Sequence, residues 1–121
     1  DASYIGAMQL EALETICAIW PRGPVDADMV TPLATDIPVL LLSGDADPIT
    51  PPRYADLAAV ELVNARHLIG DRQGHGQIAA GCMPGLIADF VAAADAGDLD
   101  TECMENTFVM PFFLGFSGPA P

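Results

Sequence analysis

The apolar residues of the chain fall into segments of two periods. Val39-Leu40-Leu41-Leu42 is an unbroken apolar run, the pattern of a strand covered on both faces, as in parallel sheets. Gly44 permits a sharp exit from it and Pro48 ends regular pairing. Ala65 to Ile69 reads as a second short strand. Between the two, Pro51-Pro52 suits a helix start, with Thr50 as N-cap, and the helix runs to about Val60, burying Tyr54, Leu57 and Ala58. Strand, helix and strand of these lengths make a crossover unit with parallel, neighbouring strands.

Helical spacing governs both flanks. Ile5, Met8, Ala12, Leu13, Ile16, Cys17 and Trp20 recur along one face, which predicts an amphipathic helix from about Ser3 to Ile19, closed by Pro21. Trp20 is expected as a core anchor. After the strands, a short helical turn is expected within 76–83. A longer helix follows, with Pro84 in its first turn, Leu86, Ile87, Phe90, Val91 and Ala94 as its apolar stripe, and Gly97 as its stop. The organisation is therefore a helix (1–20), a loop (21–36), strand–helix–strand (37–76), a helical region (77–97) and a tail (98–121). The tail carries Phe108 to Phe116, apolar but punctuated by Pro and Gly, and is expected to be extended and to cover a groove. The fold class is α/β.

Composition changes this picture in two ways. A chain of 121 residues accommodates one domain with a modest core, yet 51% of its residues are hydrophobic and its mean hydropathy is +0.35. That excess suggests a piece of a larger core. It does not suggest a membrane protein, because no apolar run reaches the ~20 residues a spanning helix requires. The chain opens at Asp1 without a basic and apolar leader, and a fragment or a processed product is expected. The net charge of −13 argues against nucleic-acid binding. It fits a solvated acidic surface; a preference for cationic substrates is the sharper alternative, with no acidic residue that matches an amine-binding motif.

The candidate chemistry lies at the strand ends. Asp47 stands on the turn after the first strand, and His75, in Gln73-Gly74-His75-Gly76, follows the second by a few residues. In parallel neighbours both exits lie on the same edge, where ligands and catalysis gather in open α/β sheets. An acid and a base so placed suit the last two members of a Ser…Asp…His triad. The bland alternatives are a turn aspartate bonded to its own backbone and a loop histidine held by glycines. Asp45 competes as the acid and His67 as the base, but His67 lies inside a strand and is read as structural. The nucleophile is missing: Ser3, Ser43 and Ser117 lie in no G-x-S-x-G, and Gly115-Phe116-Ser117-Gly118-Pro119 has proline at the second glycine. Alone, the chain is expected to be inactive. There is no CxxC or HxxxH, and neither a metal nor a cofactor is expected.

Pro38 to Pro51 and Gly74-His75-Gly76 resemble the C-terminal part of an α/β-hydrolase. The branch is that of tripeptidyl-aminopeptidase-like serine peptidases, related to proline iminopeptidases. Cys17-Ala18-Ile19-Trp20-Pro21, Asn64-Ala65-Arg66-His67-Leu68 and Gly81-Cys82-Met83-Pro84 extend the resemblance over nearly the whole chain. It implies the chain order Ser…Asp…His, Asp47 and His75 as triad acid and base, and an incomplete fold. The implied partner is an upstream part of the hydrolase carrying the nucleophile, and the implied substrate is a peptide with a free N-terminus. Such enzymes are commonly exported, so a secreted, periplasmic or cell-envelope location is expected. An oxidising location also favours a bridge between Cys82 and Cys103, which bracket the last helix; buried free thiols are the alternative. Cys17 remains as a core residue or the partner of an upstream cysteine. Three rival functions stay open: a non-catalytic association module acting through an open sheet edge and the apolar tail, an esterase, and an enzyme with an upstream Asp nucleophile.

Overall fold

A computed structural model describes residues 6–107, 111 and 113–118. The chain divides into two compact units, residues 1–31 and 32–121.

Among the described residues the first unit holds one helix, α1 (Met8–Ile19). It ends where the Trp20 N–H donates to the Ile16 carbonyl and Pro21 has no N–H to continue the ladder. The helical period is as expected, but the helix begins later than Ser3, and none of its residues is buried. Trp20 is 69% exposed, against its expected role as a core anchor. Cys17 is likewise an exposed free thiol and not a core residue. The reason is that the unit contains no second element among the described residues to cover the apolar stripe.

The second unit carries the sheet. Strands β1 (Val39–Gly44) and β2 (Ala65–Gly70) pair in parallel, in a register from Val39 opposite Ala65 to Gly44 opposite Gly70. Helix α2 (Pro52–Ala58) and a 3-10 turn (Ala59–Glu61) connect them. A 3-10 turn at Gln77–Ala79 leads to α3 (Met83–Ala93), and a last 3-10 turn spans Glu102–Asn106. Alternation along the strands divides the sheet into two faces. Leu40, Leu42 and Leu68 face the core, where they pack with Met83, Leu86, Cys82 and Met104. Cys82 and Cys103 form a disulfide that ties the last 3-10 turn to the start of α3. Leu41, Ser43, His67 and Ile69 alternate onto the opposite face.

Two expectations for the helices are corrected. Tyr54, Leu57 and Ala58 of α2 are exposed, Leu57 by 66%. A sheet of two strands is too narrow to cover a helix that a wider one would bury. Helix α3 ends before Gly97: Ala94 adopts the left-handed conformation at φ 52°, and its N–H donates to the Phe90 carbonyl. The following turn is held by Arg66 of β2, whose guanidinium donates to the carbonyls of Ala96, Gly97 and Leu99. That one planar donor gathers three backbone acceptors, so the chain just beyond the helix is held by a distant strand residue.

Of the tail, Phe108–Met110 and Phe112 lie outside the described residues, and so does the groove-covering role expected of them. Phe113, Leu114 and Phe116 are exposed, and Gly115 and Gly118 bracket a tight turn. Among the described residues no helix is long and apolar enough to cross a membrane.

Candidate active site

The loop after β1 is built by backbone bonds before any side chain takes part. Asp45 N–H donates to the Gly70 carbonyl, Ala46 N–H to Gln73 and Asp47 N–H to Gly44. Gly44 is required here: a Cβ would stand 2.2 Å from the Gln73 carbonyl oxygen, which belongs to the loop after β2. The two strand-end loops are thus in direct contact, as the parallel pairing demands.

Asp47 closes its own turn. Its Oδ1 accepts from the N–H groups of Ile49 (2.8 Å) and Thr50 (3.1 Å). Its Oδ2 accepts from the Thr50 hydroxyl at 2.8 Å and from His75 Nδ1 at 2.9 Å. The turn aspartate bonded to its own backbone and the partner of a histidine are therefore the same carboxylate. Asp47 is 6% exposed. Burial pushes its carboxyl up, but the bonds from His75, the Ile49 N–H and Thr50 more than offset this and hold it well below the usual carboxylate range.

His75 comes from the loop after β2. Gly76 follows it at φ 89°, a conformation that L side chains rarely adopt. Gln77 then folds back, its amide donating to the Gly74 carbonyl at 2.6 Å, and is itself buried. An ionised carboxylate only accepts, so the proton of the Asp47–His75 bond resides on Nδ1. Nε2 is left with the lone pair a general base needs. The imidazole is half-exposed, in contrast to its acid partner.

The competing residues are placed elsewhere. Asp45 is exposed. His67 bonds Asp56 and Ser43 on the sheet. No described serine is hydrogen-bonded to His75: Ser43 is held by His67, and Ser117 sits in the exposed 115–118 turn. Ser3 lies outside the described residues.

Thr50 and Gln77 were not anticipated as site residues. Thr50 was expected to cap α2, but Pro51 holds the N-cap position without any side-chain bond, and the Thr50 hydroxyl faces Asp47 with its oxygen 3.2 Å from His75 Nδ1. The legible signal was Asp-x-x-Thr itself, in which the aspartate turns the chain and brings the threonine back onto it. Gln77 carried no such signal. Thr50→Val should keep the turn, whose backbone bonds remain, and lose the hydroxyl bond. Its Tm at pH 7 should fall by a few degrees. The sign with pH follows from the lowered Asp47 carboxyl: stability from bonding the ionised form is present above the unfolded carboxylate pKa and is lost as pH falls. The gap between variant and parent should therefore close in acid; thermal melts across that range check it.

The family model for the TAP-like proteins of the α/β-hydrolases matches residues 2–103. Neither a curated protein nor a solved structure matches the chain. With the parallel strands, flanking helices and paired strand-end loops described above, the match shows that this chain belongs to the TAP-like family of α/β-hydrolases.

Proposed function

We propose that the chain supplies the acid and base of a serine peptidase whose nucleophile is carried by another portion of the hydrolase. The observation that carries this reading is the 2.9 Å bond between the buried Asp47 and the half-exposed His75. In the proposed reaction His75 Nε2 removes the proton of a serine hydroxyl as its oxygen attacks a peptide carbonyl. The same proton passes to the leaving amine when the C–N bond breaks. Water, activated in turn by His75, then hydrolyses the acyl-enzyme. Asp47 keeps the Nδ1 proton in place and stabilises the imidazolium formed in each half. The substrate, by resemblance, is a short peptide cleaved from a free N-terminus. The Cys82–Cys103 bridge favours an oxidising, exported location.

The rival reading, a module acting by association, draws on the exposed Ile37, Ile49, Val60, Val63 and Ile69. The first reading accounts for the same surface as the seat of the missing portion of the core. Fluorophosphonate labelling, read by intact mass, separates the two. The chain alone should take no label. A nucleophile-bearing portion should be labelled on serine only when the chain is present. Label on the isolated chain, or label on the other portion regardless of the chain, would overturn the proposal.

A further inference from the structure

The face of the sheet opposite α3 carries a second Asp–His pair, here joined by a serine. His67 Nδ1 lies 2.9 Å from Asp56 Oδ1, and His67 Nε2 lies 2.8 Å from Ser43 Oγ. With the proton on Nδ1 the bonds run in one direction: Nδ1–H donates to the carboxylate and the Ser43 hydroxyl donates to Nε2. The connectivity is that of a catalytic triad, but the setting is not. Ser43 lies within β1 and is 6% exposed, with Gly44 and Gly70 paired beside it. A hydroxyl so buried in a strand offers no approach to a carbonyl.

Its place in the chain gives the relay a different use. Ser43 is the last side chain before the acid loop, and Asp56 lies one turn into α2, just after it. His67 comes from β2 and joins the two. The relay spans the mouth of the segment that contains Asp47 and Thr50, and all three members are side chains of the three elements that meet there. We infer that His67 is a positioning residue that staples the base of the Asp47–Thr50 loop and so holds Asp47 against His75. This rests on the reading of Asp47 and His75 as acid and base. His67 touches neither of them, and its effect passes through the loop ends.

The staple accounts for a contrast within the site. The apolar surface around the loop is open, with Ile49 and Leu57 exposed, so side-chain packing contributes little to fixing the loop. Polar bonds must do so instead. Inside the loop these are the Asp47 turn bonds; at its base they are the backbone bonds of Asp45 and Ala46 to the loop after β2 and the two side-chain bonds of His67, which alone, among the described residues, tie β1 and β2 to α2 there.

The test reads the Asp47–His75 bond directly, in the full chain, from the His75 Nδ1 proton in nitrogen-15-labelled imidazole by NMR. In the parent this proton should be protected. His67→Ala, Ser43→Ala and Asp56→Ala should each raise its exchange with water by about tenfold. Asp56→Asn, which keeps an acceptor oxygen for His67, should restore protection. Leu86→Ala, in the core on the other face, should lower Tm and raise exchange only in step with that fall. Should His67→Ala fail to fold, Asp56→Ala still reports, since the Asp56 side chain is 65% exposed and buries nothing when truncated. Unchanged exchange in the folded variants, or a rise that merely follows Tm as in Leu86→Ala, would overturn the inference. So would fluorophosphonate label on Ser43, which would make it a nucleophile. Because exchange needs no substrate, absence of peptidase turnover once the nucleophile-bearing portion is present would count against the proposed function while leaving this reading intact.

Discussion

Asp47→Asn should lower kcat of the assembled hydrolase by about 10⁴-fold, with little change in KM. The size of the loss follows from which atom of the new amide faces which donor. Oδ1 of Asp47 accepts two turn N–H groups, those of Ile49 and Thr50. An asparagine must keep its oxygen there, because an amide nitrogen would set donors against donors. The nitrogen then falls at the Oδ2 position, opposite the Thr50 hydroxyl and His75 Nδ1. An NH₂ group can only donate, so Nδ1 must give up its proton and become the acceptor. The proton moves to Nε2, and the lone pair no longer faces the nucleophile. The fold and the substrate contacts remain, which is why KM should hold. Single-turnover kinetics on the assembled enzyme would check this, with Asp45→Asn as the comparison. Asp45 is exposed and is bound in the site only by its backbone, so its variant should act like the parent. Equal losses from the two variants would remove Asp47 from its assigned role.

The parts of this site legible in the sequence are those fixed by local rules. The run Val39 to Leu42 and the glycine after it specify a strand and its exit, and the second strand follows at the length a helical crossover requires. The meeting of Asp47 and His75 was legible for that reason: their positions depend on strand ends. Thr50 was misassigned because two local rules compete for a threonine before Pro-Pro, capping the next helix or closing the preceding aspartate turn. The carboxylate prevails, since a bond to an ionised acceptor is stronger than one to a backbone N–H. The stop of α3 was misplaced because the left-handed turn falls on Ala94, where no glycine announces it, and the chain beyond it is held by Arg66, about 30 residues away in sequence. Burial was the least legible property. Periodicity identified the apolar faces of α1 and α2, but whether a face is covered depends on what lies beside it. Here Ile16, Leu57 and Val60 remain exposed. The role of His67 was half-read: a strand position excluded it as the base, but only the three-dimensional arrangement brings Asp56 and Ser43 to its two nitrogens.

Reducing the Cys82–Cys103 bridge, or replacing both cysteines with serine, should cost the sheet-bearing unit about 3 kcal/mol of stability. The loop it closes spans 21 residues, and the estimate is the chain entropy that the cross-link removes from the unfolded state. For a unit of this size the loss corresponds to a fall in Tm of roughly 12 °C or more. The native state adds a second reason to expect a large effect. The described core is small: Leu68, Met83 and Leu86 are its buried centre, with Cys82 and Met104 packed against it. Met104 sits in the 3-10 turn that Cys103 anchors, so opening the bridge releases one side of that core as well as the chain entropy. Leu40 and Leu42 of β1 pack on the same cluster, two residues from the exit that leads to Asp47. The consequence should therefore reach the site. Denaturant melts with and without reductant would give the stability difference, and protection of the His75 Nδ1 proton in the same samples would report the site. A bridge that only fastens a peripheral turn predicts no more than the entropic shift in the melts and an unchanged proton. A bridge that completes the core predicts that both fall together, because the parallel strands that lead to Asp47 and His75 have no other large buried surface among the described residues.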